Sequence, residues 1–180
     1  MIYMDNAATT KMTPAVIQAM LLSMKDDWYN PSSLYAPAQR AAEALRDARA
    51  RIAVCLNVSP DEIIFTSGGS ESDNQAILSA AQAGAQTGKR HIVSTAIEHH
   101  AVLHTLKKLE REGYEGELLD ISSSGIISVA QVERAIREGT CLVTVMYANN
   151  EIGSIQPISE IGAICRKKGV PVARKCKLFF

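Results

Sequence analysis

The chain has 180 residues, with 19 Lys plus Arg against 19 Asp plus Glu, and is 47% apolar and 21% charged. That length holds one domain with its own core and is short for a two-domain enzyme. The zero net charge gives no electrostatic footprint for nucleic acid or an anionic membrane surface. No stretch approaches the roughly 18 apolar residues of a membrane span, and "MIYMDNAATT" lacks the basic and apolar regions of a signal peptide, so the expected location is cytoplasmic.

In chain order, Thr13-Pro14 is a cap followed by a first-turn proline and predicts a helix to about Ser23. "DDWYNPSS" is a loop, because Asn30-Pro31 signals a turn. Ala36 to Leu56 is rich in Ala, Arg, Leu and Glu with apolar residues at helical spacing, which predicts a long helix. "EIIFT" (62–66) predicts a strand, Glu71 to about Gln86 a helix and "HIVST" (91–95) a strand. "HHAVLHTLKKLEREG" (99–113) predicts a helix stopped at Gly113. "GELLDI" (116–121) reads as a short strand, and Ser128 as the cap of an amphipathic helix reaching Glu138. "CLVTVMYA" (141–148) reads as a buried strand, Ile158 to Lys168 as a helix, and "GVPV" (169–172) opens another strand.

The four cysteines form no C-x-x-C, and the four histidines make no zinc pattern with them, so no metal site is expected. Cys55, Cys141 and Cys165 lie in apolar periodic segments and read as free core thiols. The repeated alternation of strand and helix predicts an α/β fold whose mostly parallel sheet is covered on both faces.

In such sheets ligands sit at the carboxyl ends of the strands. After "EIIFT" comes Ser67-Gly68-Gly69-Ser70, which offers backbone N–H groups at a helix start, glycines that admit a close ligand, and a hydroxyl. After "HIVST" comes Glu98-His99-His100, with imidazoles that can stack on a flat ring or move protons. After "CLVTVMYA" comes Asn149-Asn150-Glu151, with amides able to bond a ring hydroxyl. Each alone is also a tight turn or a helix cap, and Gly-Gly-Ser is neither a Walker loop nor G-x-G-x-x-G. Taken together, a phosphate cradle, a ring platform and a partner for a phenolic oxygen describe pyridoxal 5′-phosphate.

"YMDNAATT", "YNPSSLY", "IIFTSGGSESDN", "IEHHAVLHTLKKLEREGYE" and "VMYANNEIGSIQPISEIGAICRKKGV" occur in that order. In these segments the chain resembles the cysteine desulfurases of the NifS/IscS type, class V aminotransferases with the fold-type I architecture. The resemblance implies a three-layer sandwich with a mostly parallel sheet, the large cofactor domain of a pyridoxal 5′-phosphate enzyme. It also implies conversion of L-cysteine to L-alanine, with the sulfur passed on as a persulfide for iron–sulfur clusters or thionucleosides.

Residue by residue, Gly69 and Ser70 match the cofactor-phosphate contacts, and His99 matches the histidine that stacks on the ring and assists proton transfer. Asn150 matches the amide at the ring oxygen. Asn6, Ala7, Ala8 and Thr9 match a segment that closes the active site; Asn30, Pro31 and Ser32 match a loop at its mouth. Tyr35 stands where a histidine is common. A selenocysteine lyase or another class V aminotransferase is the nearest alternative.

The chemistry also needs a lysine that attaches the cofactor, an acid on the pyridine nitrogen and a sulfur-accepting cysteine. The segments that carry them in the resemblance do not occur in these 180 residues. Residues 1–172 therefore read as the N-terminal part of the cofactor domain. Ala173 to Phe180, with Arg174, Lys175, Cys176 and Lys177, reads as a tail outside the family pattern. The expectation is a chain inactive alone, from a frame change or an early stop, or a non-catalytic module that pairs with an intact desulfurase. Expected partners are a second copy of the chain and a sulfur-acceptor or scaffold protein. An uncovered apolar face and poor solubility are expected without such a partner.

Overall fold

A computed structural model describes residues 2–6 and 8–174 of the chain; Ala7 and the tail from Lys175, with Cys176, lie outside the described residues. The chain divides into two compact units, Met1–Phe65 and Thr66–Phe180.

In the first unit, helix α1 (Pro14–Asp26) starts as its sequence predicts, with Thr13 Oγ1 accepting from Val16 N at 3.4 Å and Pro14 in the first turn. No α1 side chain is buried. Helix α2 (Ala36–Leu56) has the predicted bounds and buries only Ala38, Ala41 and Ala53. It stops at Asn57, whose left-handed backbone (φ 54°) lets Val58 N reach Ala53 O at 3.0 Å. Cys55 corrects an expectation, being exposed rather than core. It stands two residues beyond buried Ala53, about 200° further round the helix.

The predicted strand "EIIFT" is a second correction. A short 3₁₀ turn (Pro60–Glu62) is followed by extended chain at Ile63 (φ −89°, ψ 121°) that joins no ladder. β-prone residues make a strand only where a neighbouring backbone pairs with them. Here Ile63 O accepts from Arg49 Nε at 3.2 Å and the Arg49 guanidinium lies 5.1 Å from the Phe65 ring centre.

The second unit holds α3 (Gly69–Gln86), β1 (His91–Thr95), α4 (His100–Arg111), β2 (Glu115–Leu119), α5 (Val129–Ala135), β3 (Thr140–Thr144), α6 (Ile158–Lys168) and β4 (Val172–Ala173). The four strands are parallel, in the order β2-β1-β3-β4. Apolar residues alternate along them, so the two faces bury different sets. Val93, Val143 and Val145 pack with Val132 of α5 and Ile161 and Cys165 of α6. Ile92 and Leu142 pack with Ile77 and Ala81 of α3 and Val102, Leu106 and Leu109 of α4. The unit is therefore helix–sheet–helix, as the strand–helix alternation predicts.

A register shift between His91 and Ile92 lets the consecutive residues Cys141 and Leu142 both join the second cluster. α4 ends before Gly113 (φ 87°), with Tyr114 N bonding Leu109 O at 3.0 Å. α5 is shorter than predicted, because Ile136 turns extended and is buried in the first cluster. β3 is shorter than predicted too; after Val145 N bonds Ala173 O at 3.1 Å the chain leaves the ladder for a loop closed by the Ala148–Ile155 bridge. No helix among the described residues is long and apolar enough to cross a membrane.

Candidate functional site

The chain leaves β1 for β2 on one side and reaches β3 on the other, so the topology switches between β1 and β3. The crevice outside the carboxyl ends at such a point is where open α/β sheets take ligands. Two side chains close that end of the sheet. Glu98 is buried, and its Oε1 accepts from Met146 N at 2.6 Å and from Thr95 Oγ1 at 3.3 Å. It supplies the acceptor that the ladder no longer offers once β1 has ended. Asn149, also buried, donates from Nδ2 to Ile97 O at 3.2 Å, and its Oδ1 accepts from Glu151 N at 2.8 Å and Ile152 N at 3.1 Å. These bonds fix the loop that carries Asn150 to the segment that carries His99. Asn150 is half-exposed and donates from Nδ2 to Glu151 Oε1 at 2.7 Å.

His99 is the N-cap of α4, and its half-exposed ring accepts from Ala101 N through Nδ1 at 3.1 Å. That bond requires Nδ1 unprotonated, so Nε2 carries the hydrogen of the neutral imidazole. His100 and His104 lie on the exposed side of the same helix, with ring centres 5.7 Å apart.

Gly69 and Ser70 are the first two residues of α3, where N–H groups have no intrahelical acceptor and the macrodipole is positive. A Cβ built at Gly68 or Gly69 meets nothing within 4 Å, so the glycines leave the approach to that turn open. Glu71 bends back, its Oε2 accepting from Ser67 N and Ser67 Oγ at 2.6 Å each; these hydrogen bonds hold its carboxyl below the usual range. The carboxylate is thus engaged on the loop before the helix. Thr66 Oγ1 and Ser72 Oγ, 2.6 Å apart, brace the same loop.

The starts of α3 and α4 are joined. Asn74 Nδ2 donates to Ser70 O at 2.7 Å, while Asn74 Oδ1 accepts from Thr105 Oγ1 at 2.6 Å. The Thr105 hydroxyl also lies 2.7 Å from Ala101 O. Ser72 and Asp73 of α3 share a pocket of about 190 Å³ with Thr144, Ala173 and Arg174 at the ends of β3 and β4. The first turn of α3 therefore belongs to the carboxyl end of the sheet, with His99 and Asn150. An open helix N-terminus, a half-exposed imidazole and a half-exposed amide at one sheet end are a donor set that fits pyridoxal 5′-phosphate.

Asn6, Ala8, Thr9 and Asn30 lie in the first unit. Ala8 N and Thr9 N donate to Asp5 O at 3.1 and 3.3 Å, Asn6 O accepts from Thr10 Oγ1 at 3.3 Å, and Asn30 Oδ1 accepts from Ser32 N at 2.9 Å. Asn74, Thr105 and Glu98 were not singled out by sequence reasoning. A signal was present: Asn and Thr are poor residues for a helix interior, and a carboxylate directly after an apolar strand needs buried donors. Gln156 was missed too. It is buried, accepts from Ile127 N at 2.9 Å and donates to Gly125 O at 2.7 Å, tying the Asn150 loop to the turn before α5.

The aminotransferase class-V family model matches residues 2–173. The chain is 46% identical over 169 residues to a cysteine desulfurase IscS of Clostridium botulinum, which covers 94% of this chain and 42% of that protein. Identity and coverage are the same for the cysteine desulfurase IscS of Methanosarcina thermophila. Among solved structures it superposes on a NifS-like protein with a TM-score of 0.92 at 35% identity, over 97% of this chain and 48% of that one. It superposes on SspA in complex with cysteine with a TM-score of 0.91 at 38% identity, over 97% of this chain and 50% of that one. The chain thus spans less than half the length of the curated relatives it matches.

Proposed function

Because the chain belongs to the aminotransferase class-V family, whose enzymes work with pyridoxal 5′-phosphate, we propose that residues 1–172 are the N-terminal part of the cofactor domain of a cysteine desulfurase. Of residues 173–180, read as a tail, Ala173 still lies inside the family match and 174–180 lie outside it. The substrate is L-cysteine, which becomes L-alanine while its sulfur passes to a cysteine thiol as a persulfide. The reading is cytoplasmic, since that chemistry needs reduced thiols.

When bound, the cofactor supplies an electron sink for the substrate carbon atoms. The N–H groups of Gly69 and Ser70 and the Ser70 hydroxyl would hold its phosphate, helped by the dipole of the 18-residue helix α3. His99 would be the residue beside the ring, and it can hold or release a proton at Nε2, because Nδ1 is engaged by Ala101 N. Asn150, whose Nδ2 donates to Glu151 Oε1, would hold the ring oxygen. By the family resemblance, Asn6, Ala7, Ala8, Thr9 and Asn30 would serve the substrate side of the whole enzyme. A second copy of the chain or an intact desulfurase is the partner, together with a sulfur-acceptor protein.

The observation that carries this reading is the bonding of the Ser70, His99 and Asn150 segments to one another at one end of the sheet. Titration of the 180-residue chain with pyridoxal 5′-phosphate, followed by absorbance and intrinsic fluorescence, tests it. Expected is one saturable site, competed by inorganic phosphate and weakened about tenfold or more by Ser70→Ala. Binding that ignores both phosphate and the substitution would sink it.

A further inference from the structure

We propose that Asn74 and Thr105 are positioning residues: together they hold the phosphate-binding turn of α3 in register with the His99-capped start of α4. The inference rests on the reading of Gly69, Ser70 and His99 as cofactor contacts. It goes beyond that reading, since neither Asn74 nor Thr105 reaches the ligand in it.

The chemistry of the pair is selective. Asn74 sits near the start of α3 and uses both ends of its amide, Nδ2 toward Ser70 O at 2.7 Å and Oδ1 toward the Thr105 hydroxyl at 2.6 Å. An aspartate could not donate to Ser70, and a leucine could do neither. Thr105 is 3% exposed and carries a single hydroxyl hydrogen between Asn74 Oδ1 and Ala101 O, at 2.6 and 2.7 Å. Ala101 is the residue whose N–H engages His99 Nδ1 at 3.1 Å. A hydrogen-bonded strap therefore runs Ser70–Asn74–Thr105–Ala101–His99, from the first phosphate donors to the proton-carrying ring.

Apolar packing between α3 and α4, through Ile77, Ala81, Val102 and Leu106, holds the helices together but tolerates small sliding. The strap, in which Thr105 shares its one hydroxyl hydrogen between two acceptors, sets the spacing of their first turns. Register matters because both turns must meet one rigid ligand.

The test uses the 180-residue chain, with pyridoxal 5′-phosphate as the ligand and ¹⁵N signals of the His99 ring recorded without ligand. Thr105→Val should weaken binding about tenfold and move the His99 ring signals. Thr105→Ser, which keeps the hydroxyl, should restore both. Asn74→Asp should behave like Thr105→Val, and serves in its place if that variant does not fold. Wild-type affinity and unmoved His99 signals in a folded Thr105→Val or Asn74→Asp chain overturn the proposal. So does a Thr105→Ser chain no better than Thr105→Val. If the wild-type chain binds no pyridoxal 5′-phosphate, the functional reading falls. The strap is then decided by the ring signals alone: moved by valine and restored by serine they uphold it, and unmoved they end it.

Discussion

Helices α1 and α2 of Met1–Phe65 form where their residues predict, yet α1 buries nothing and α2 buries three alanines. In Thr66–Phe180 the helices are no better helix formers, but each packs an apolar stripe onto the sheet, and valine, isoleucine and leucine fill both faces. α1 leaves Met20, Leu21, Leu22 and Met24 between 45% and 70% exposed. Local propensity and caps suffice to draw a helix, whereas stability comes from the surface the helix covers. The same difference separates the two strand predictions: "HIVST" has neighbours on both sides and is a strand, and "EIIFT" has no ladder partner and is not.

Substitutions that probe the two units should differ most at their cores. Ile161→Ala removes a fully buried α6 side chain from the first core cluster and should cost about 2–5 kcal/mol in urea unfolding. Next comes Gln156→Ala, which strands buried Ile127 N and Gly125 O. It should cost about 1–3 kcal/mol, and Gln156→Glu, which loses the donor to Gly125, should not restore it.

A smaller effect is expected from His91, buried at the amino end of β1 with Nδ1 2.9 Å from Thr140 Oγ1 and Nε2 3.1 Å from Glu117 Oε2. Burial and then Arg137 push its imidazole below the ordinary value of 6.5, with Glu115 and Glu117 opposing. The folded chain then resists a proton that the unfolded chain accepts. Stability is present above 6.5 and lost as pH falls from there toward the lowered value. The melting temperature should drop between about pH 7.5 and 5.5, and His91→Asn should flatten that slope. A melting temperature that rises on acidification would contradict this assignment. Smallest of all, Leu22→Ser on the exposed face of α1 should change unfolding free energy by less than about 0.5 kcal/mol; a loss the size of the Ile161 effect would mean that α1 is covered in solution.

Much of the second unit was legible beforehand. α6 has its predicted bounds, β1 is the predicted "HIVST", Ser128 stands at the start of α5, and Gly113 follows the end of α4. Periodicity, caps and stops are local, so they survive without knowledge of the fold. Bounds failed where tertiary contact decided. Ile136 left α5 to enter the core, and β3 ended where β1 and β4 stopped offering partners. Cys55 lies in an apolar stretch but off the buried side of α2.

The site divides in the same way. Gly69, Ser70, His99 and Asn150 could be named from the sequence, because glycines, a hydroxyl, an imidazole and an amide after successive predicted strands advertise their chemistry, and the family resemblance assigns their roles. The residues that bring those groups together could not be named. Asn74, Thr105, Glu98 and Gln156 act through partners 31, 31, 48 and 29 positions away along the chain. Composition and periodicity carry no information about which distant donor meets which acceptor. Sequence alone settled the order of elements in the second unit and the kinds of group available at the sheet's carboxyl end. Tertiary structure decided which strand finds a neighbour, which apolar faces are covered, and how Ser70, His99 and Asn150 are fastened to one another, because hydrogen bonds and close packing are satisfied only in three dimensions.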